Sequence, residues 1–311
     1  MSRHAKITET IPGPDPVTEI TVETPFQRFV AGFMESKIAV AALVVLLIII
    51  FVAVFAPLIS PTDPFDLAVV SIMDSRQPPG SESFDGIVYW LGTDGAGRDL
   101  LSSIFYGLRT SLGVGVASSF IAMMIGCSVG LGAAYAGGRT DTLIMRVVDM
   151  QLSFPAILVA LMLVAIFDKG VDKIIIALVI VQWAYYARTI RASALVERSK
   201  EYVEAATCLA LSHKRIVFRH LLPNCLPPLI VVVTVQTAHA ISLEATLSFL
   251  GIGLPVTEPS LGLLISNGFE YMMSGKYWIS FFPGIALLIT IMSINLVGDQ
   301  LRDVLNPRLQ K

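Results

Sequence analysis

Charge is what this sequence has least of. Only 15% of its 311 residues are Asp, Glu, Lys or Arg, against 54% hydrophobic, where a soluble globular domain carries about a quarter charged. A mean hydropathy of +0.73 agrees, so this is no ordinary soluble domain. Cysteine is nearly absent. Cys127, Cys208 and Cys225 have neither CxxC spacing nor the density of a disulfide framework, and they read as small apolar helix residues rather than metal or redox ligands. There is no G-x-x-x-x-G-K-S/T phosphate loop, so the chain is not expected to be an ATPase. No paired catalytic constellation stands out, and no cofactor or metal is expected. Nor is a cleavable signal expected: Met1–Glu23 holds Pro, Thr and acidic residues without an apolar core, as a flexible tail would. The net charge of −2 names no partner by itself, and no nucleic-acid partner is expected.

What is abundant is apolar sequence of membrane-spanning length. A bilayer core about 30 Å thick takes about 20 apolar residues, and six segments qualify. They are Ile38–Leu58, Ser111–Ala136, Met150–Phe167 with Pro155 near its start, Ile174–Ala187, Leu226–Leu243 and Trp278–Gly298. The second is rich in Gly and Ala, which let helices approach closely. The fourth spans only if its helix continues towards Leu195, with Arg188 and Arg191 reaching the interface. Two more stretches read as helices lying on the membrane. Thr24-Pro25 supplies an N-cap and first-turn proline ahead of the stripe Phe26, Phe29, Val30, Phe33 and Met34. Leu100, Leu101, Ile104, Phe105 and Leu108 form a second stripe. A packed surface helix is the alternative for both.

Sixteen of the chain's 22 Lys and Arg residues fall in the N-terminal tail, the second-to-third connection, the fourth-to-fifth connection and the C-terminal tail; six fall in the other segments. By the positive-inside rule both termini are cytoplasmic. The expected organisation is a cytoplasmic tail (1–23), then an N-terminal region with interfacial helix, first span and periplasmic segment (24–109). A five-helix core (110–306) and a short cytoplasmic tail (307–311) follow.

Seven of those basic residues sit in the fourth-to-fifth connection, and a polar island runs through it from Tyr202 to Asn224. Ser199 is a plausible N-cap, with Glu201 and Glu204 complementing the helix dipole. Tyr202, Ala205, Ala206 and Leu209 recur at helical spacing, a narrow face that suits insertion into a groove. Ser212 is placed to start a second short helix carrying Lys214, Arg215 and Arg219, which Pro223 ends. An ordinary amphipathic hairpin fits the pattern equally.

Glu204-Ala205-Ala206, then Ala210, then Leu222-Pro223, resembles the EAA loop of ABC importer permeases. Leu91-Gly92-Thr93-Asp94, Gly97-Arg98-Asp99, Tyr106-Gly107 and Ser111-Leu112 look like the segment before the second span in dipeptide, oligopeptide and nickel permeases. Ser153-Phe154-Pro155, Arg219-His220-Leu221-Leu222-Pro223-Asn224, Leu243-Glu244-Ala245 and Leu247-Ser248-Phe249-Leu250-Gly251 fit the same group. So do Gly298-Asp299, Leu301-Arg302-Asp303 and Asn306-Pro307-Arg308. Ala56-Pro57 and Pro61-Thr62-Asp63-Pro64 after the first span resemble the C-type subunit. The resemblance implies an all-α integral membrane protein with six transmembrane helices, the type I ABC importer permease fold. It implies a coupling helix docking on a partner ATPase through Glu204, Ala205, Ala206, Leu209, Ala210, Leu222 and Pro223. The implied partners are a homologous second permease, two ATP-binding subunits and a periplasmic substrate-binding protein. The implied substrate is a dipeptide or short oligopeptide, with nickel or glutathione as alternatives. Ala210 stands where the family has Gly, and His220 where many members have Ile. If the turn needs positive φ, Ala210 strains it.

Gln182, His239, Glu244 and Asn295 lie within spans, where a lipid-facing polar group is costly. They read as pathway or gate residues or as interhelical hydrogen bonds. His239 has no second ligand at metal-binding spacing. Asp149 has Arg146 one turn away as a helical partner. A self-sufficient secondary transporter is the rival class. It calls for mid-membrane coupling carboxylates and an internal repeat, neither of which is apparent, and it leaves the island unexplained.

Overall fold

The computed structural model describes residues 24–66, 70–83, 86–255 and 257–305. The expected tails at 1–23 and 307–311, with Arg3, Lys6, Arg308 and Lys311, lie outside the described residues. Among the described residues five helices are long and apolar enough to cross a membrane, or six if one bent pair counts as a span.

Helix α1 (Pro25–Glu35) begins in a full capping box. The Thr24 hydroxyl accepts from the Gln27 N–H at 3.3 Å, and the Thr24 N–H donates to Gln27 Oε1 at 2.9 Å, an arrangement worth about 1 kcal/mol. Phe33 of the expected stripe is buried while Val30 and Met34 are exposed. Gln300 of the last helix donates to the Gly32 carbonyl at 2.9 Å, so α1 is tied to the helix bundle. Ser36 then caps α2 (Lys37–Ile59), about 35 Å long at 1.5 Å per residue. It is apolar all round and buries only Ala39, Ala42, Ile49, Ala53 and Ala56, as a helix at the edge of a bundle facing lipid does.

The connection from α2 to α3 folds on itself. A 3-10 turn at Ile72–Asp74 and a short hairpin, β1 (Ser81–Glu82) with antiparallel β2 (Val88–Tyr89), surround the buried Asp74. Its carboxylate accepts from Ser83 at 3.0 Å and from the Tyr89 hydroxyl at 3.1 Å. The Gly92-Thr93-Asp94…Gly97-Arg98-Asp99 motif packs against this knot. Gly97 has φ +85°, and a side chain there would meet the Ser71 carbonyl at 2.1 Å, so only glycine fits. Asp94 accepts from the Ala96 and Arg98 N–H groups at 2.8 and 2.9 Å. Burial pushes its carboxyl above the usual carboxylate range, and those N–H bonds oppose the shift.

Asp99 caps α3 (Leu100–Ala136), accepting from the Ser102 N–H at 2.9 Å. The separate interfacial helix expected at Leu100–Leu108 is instead the start of this 37-residue helix, because no breaker separates it from Ser111. Leu100, Ile104 and Leu108 pack against Ile49, Ala53, Leu261 and Trp278. The domain boundary expected at 109/110 falls inside α3.

The expected third span is not continuous. α4 (Gly138–Ser153) and α5 (Ala156–Phe167) meet at 88°. Pro155 restricts Phe154 to an extended backbone, φ −89° and ψ 142°, as the residue before a proline prefers. α5 alone is about 18 Å long, too short to span. α6 (Val171–Arg198) does continue past Leu195. Its Arg191 grips Asp141 with two bonds of 2.6 Å, and Arg188 reaches Asp149 at 2.5 Å. Asp149 therefore pairs between helices rather than with Arg146.

After α7 (Glu201–Cys208), α8 (His213–Arg215) passes through a π-helical turn, Ile216–Leu221, into α9 (Leu222–Phe249). Pro223 ends nothing: His213–Phe249 is one 37-residue helix. A proline lacks an N–H and clashes with the carbonyl a turn back; the wider π turn just before it is a break of the kind that relieves such a clash. α10 (Leu261–Met272) had no counterpart among the expected elements, and α11 (Trp278–Leu305) closes the bundle. α3 is the spine, packed on α2, α6 and α9.

Candidate functional site

The polar island forms a compact corner between α6 and α9. Val203 and Ala206 of α7 are buried in a cluster with Ile190, Ala194, Ile216, Leu221 and Cys225, which orients the short helix. Lys200 occupies the N-cap without a side-chain capping bond. The expected cap, Ser199, instead donates to the Val196 carbonyl at 2.9 Å. Tyr202 is the tie. Its hydroxyl donates to Glu197 at 2.7 Å and accepts from Asn224 Nδ2 at 3.1 Å, linking α6, α7 and α9. Burial, and then the adjacent Glu197 carboxylate, push this phenol up to about 12, so it stays a proton donor throughout the physiological range.

The turn after α7 settles the Ala210 question. Ala210 has φ +54°. Its N–H donates to the Thr207 carbonyl at 2.9 Å, and the Leu211 N–H to the Ala206 carbonyl at 3.2 Å. These are the two bonds of a Schellman motif, with Leu211 packed beside Ala206 as its apolar contact. The left-handed position normally belongs to Gly; Ala there costs about 1–2 kcal/mol. Ala210→Gly is expected to hold or slightly raise the thermal unfolding midpoint, the looser unfolded backbone offsetting part of the gain. Ala210→Val should cost about 1 kcal/mol or more of stability and lower the midpoint accordingly. Equal midpoints for the two variants would contradict this assignment of strain.

The expected narrow face is split. Ala206 points into the chain's own core and Tyr202 is engaged in its tie. Glu204, Ala205, Cys208, Leu209 and Ala210 are exposed, Leu209 at 75%. Leu222 is half-buried in the cluster beneath α7, and Pro223 is exposed at the start of α9. Glu204 lines a cleft of about 430 Å³ with Tyr135, Arg198, Thr207 and His213. Arg198 donates to the Ala134 carbonyl at 2.8 Å, and the His213 ring shares a hydrogen bond with the Tyr135 hydroxyl. Glu197 is paired with Lys200 at 2.6 Å; Glu204 makes no ion pair among the described residues. An exposed unpaired carboxylate beside an apolar tip, on a helix fastened at both ends, offers a partner protein a charge-assisted contact.

The four polar residues of the spans do not gather at this corner. Gln182 is buried, accepting from Ser119 at 3.4 Å and donating to the Gln236 carbonyl at 3.2 Å. It stitches α6 to α3 and α9. Glu244 is also buried. It accepts from Ser111 at 2.8 Å and Ser248 at 2.7 Å, and Ser111 in turn accepts from the Leu261 N–H at 3.3 Å. That network joins α3, α9 and the start of α10. His239 is half-buried on α9 one turn from Gln236, and Asn295 half-buried on α11. Among the described residues no His, Cys, Asp and Glu cluster has metal-binding geometry. Sequence reasoning missed Gln236, Ser119 and the Asp141–Arg191 clamp, whose partners lie far apart in the chain.

Residues 122–311 match the family described as binding-protein-dependent transport system inner membrane component. Residues 24–79 match the N-terminal TM domain of oligopeptide transport permease C. A Brucella suis protein provisionally named a peptide transport system permease protein is 44% identical over 268 residues, 86% of this chain and 87% of its own. The di/tripeptide transport system permease protein DppC of Pseudomonas aeruginosa is 36% identical, covering 96% and 97%. The dipeptide transport system permease protein DppC of Escherichia coli is 38% identical, covering 93% and 95%. A chain from the inward-facing MetNI methionine ABC transporter superposes with a TM-score of 0.55 at 19% identity, covering 67% of this chain and 98% of its own. That likeness establishes the fold.

Proposed function

Because the chain belongs to the family of binding-protein-dependent transport system inner membrane components, we propose that it is the C-type permease subunit of an ATP-driven importer of dipeptides or short oligopeptides. A periplasmic binding protein delivers the substrate, a second homologous permease completes the pathway, and two ATP-binding subunits supply the energy. Both termini lie in the cytoplasm. The observation that carries this reading is the exposed, unpaired Glu204 on α7, a helix tied to α6 and α9. The peptide substrate is supported by the names of its relatives, which favour it over nickel or glutathione.

The geometry supports a lever. Glu204, Ala205, Leu209 and Ala210 seat in a cleft of the ATPase subunit. Closure of two ATPase subunits displaces α7, and the Tyr202 tie and the Schellman turn pass the displacement to α6 and α9. The bidentate Arg191–Asp141 pair makes α4 follow α6; exposed pairs such as Arg188–Asp149 add at most about 1 kcal/mol. At the far end of α9 the Glu244 network carries the movement to α3 and α10. Gln182, His239 and Asn295 are then placed to respond to rearrangement of the helices that line a pathway.

Reconstitution tests this directly. Proteoliposomes holding both permeases, both ATPase subunits and the binding protein should accumulate a labelled dipeptide only when ATP is supplied on the α7 side. The permease pair alone should hydrolyse no ATP. Uptake without the ATPase subunits would contradict the scheme and favour a secondary transporter.

A further inference from the structure

A second surface feature lies far from α7. A groove of about 510 Å³ opens between α2, α3, α9 and α11, and its wall is apolar apart from one charged residue, Arg109, and two threonines. Thr234 and Thr237 turn their hydroxyls to the Val231 and Val233 carbonyls of their own helix, both at 2.8 Å, so neither offers a donor to a guest. Arg109 is exposed and has no ion-pair partner among the described residues.

The helices fix how the groove runs. Ile49 and Ala53 share a cluster with Leu100, Ile104 and Leu108, Leu46 shares one with Leu112, and the Thr62 N–H just beyond α2 donates to the Ser102 hydroxyl at the start of α3 at 3.2 Å. α2 and α3 are therefore antiparallel, with Arg109 at the end nearer Val54 and the groove continuing past Leu112 to Val116. Val54 is about 8 Å from the end of α2 along its axis. A long cationic side chain at that depth snorkels to the headgroup zone.

Three kinds of guest carry a charge to meet Arg109: a peptide with its carboxylate, an acidic helix of another chain, and a lipid phosphate. An extended peptide would leave its N–H and C=O groups unpaired against apolar walls, which is strongly disfavoured. A lipid phosphate lies at the headgroup depth that the Arg109 guanidinium reaches, whereas an acidic helix would need a carboxylate placed at that same depth. A hydrocarbon chain needs no hydrogen bonds, and these walls offer none. We propose that this groove is a phospholipid-binding site, with one acyl chain along Ile50, Val54, Leu112 and Val116 and the phosphate on the Arg109 guanidinium.

The test uses the assembled importer in proteoliposomes doped with phosphatidylglycerol bearing a photoreactive group on one acyl chain. Crosslinks mapped by mass spectrometry should concentrate on Ile50, Val54 and Leu112–Val116. Unlabelled phosphatidylglycerol should compete, and diacylglycerol, which lacks the phosphate, should not. Arg109→Gln should lower the yield roughly fivefold. Gly113→Leu should lower it as much by filling the groove, and it keeps the test valid if Arg109→Gln misfolds, because a Cβ at Gly113 meets nothing within 4 Å and the larger side chain opens into the groove. Unchanged yields in both variants, or competition by diacylglycerol, would overturn the site. Labelling of the same residues by a photoreactive dipeptide would overturn it too, giving the groove to substrate and leaving the transport reading untouched.

Discussion

In a Glu204→Lys variant, ATP-driven peptide uptake should fall below about 1% of the unmodified importer while the chain still inserts and pairs with its permease partner. The carboxylate is exposed and unpaired within its own chain, so reversing it disturbs no internal ion pair. On the proposed function, what it disturbs is docking. Removing one partner of a charged contact buried at an interface costs about 2–5 kcal/mol, and a like charge in its place adds repulsion. That is a factor of about 30 to several thousand in affinity, enough to empty the complex at micromolar concentrations. Glu204→Gln keeps the shape and one acceptor, and should retain a measurable fraction of uptake. Membrane level and ATPase co-purification read the outcome: level unchanged, ATPase lost. Normal co-purification with Glu204→Lys would place the docking contact elsewhere on the corner.

The second large effect concerns the fold. Gly126 and Gly130 stand four residues apart on the face of α3 that meets α6. A Cβ at Gly130 would lie 2.2 Å from the Ala187 carbonyl oxygen, and one at Gly126 would lie 2.4 Å from that of Trp183. The obstacles are backbone atoms, which cannot swing aside. Gly130→Val therefore forces α3 away from α6, opening the cluster around the fully buried Tyr186 and Ile190. Overpacking of this kind costs about 3 kcal/mol or more, and membrane helices rely on such close approach. The folded permease recovered from membranes should drop to about a tenth or less. A Cβ at Gly132 on the same helix meets nothing within 4 Å, so Gly132→Val should be recovered normally. Equal recovery of the two variants would contradict the α3–α6 contact.

Elements that depend on local pattern were readable in advance. Apolar runs located the long helices, Thr24-Pro25 placed the start of α1, and the Gly-rich second span packs closely as its composition implies. The prolines were not separable. Pro155 breaks a helix where Pro57, Pro223 and Pro283 are carried inside or at the start of one, because the outcome turns on whether neighbours and π turns absorb the missing bond. Long-range partners were invisible for a related reason. Asp149 has a basic residue within one turn, yet it bonds to Arg188 from another helix. At the corner formed by α7 and the start of α9, the pattern marked a helical segment but not the facing of its residues. Ala206 shares a helical stripe with Ala205 and Leu209, yet it is drawn into the chain's own core by Ile216 and Leu221. α10 does carry a local signal: Ser260 caps it by accepting from the Leu263 N–H at 3.2 Å, and Leu261, Leu264 and Gly268 mark its buried face. Ala210 was flagged by sequence as a strain if the turn required positive φ, and it does.

Cys208 offers the most direct test that α7 is the docking element. It lies on the exposed side of α7, one turn after Glu204, while Cys127 is half-buried and Cys225 buried. A membrane-impermeant maleimide applied to the cytoplasmic face should label Cys208 rapidly in the permease pair alone. In the assembled importer the rate should fall at least about tenfold, and return when the ATPase subunits are stripped away. Labelling from the opposite face, or a rate indifferent to the ATPase subunits, would contradict the account.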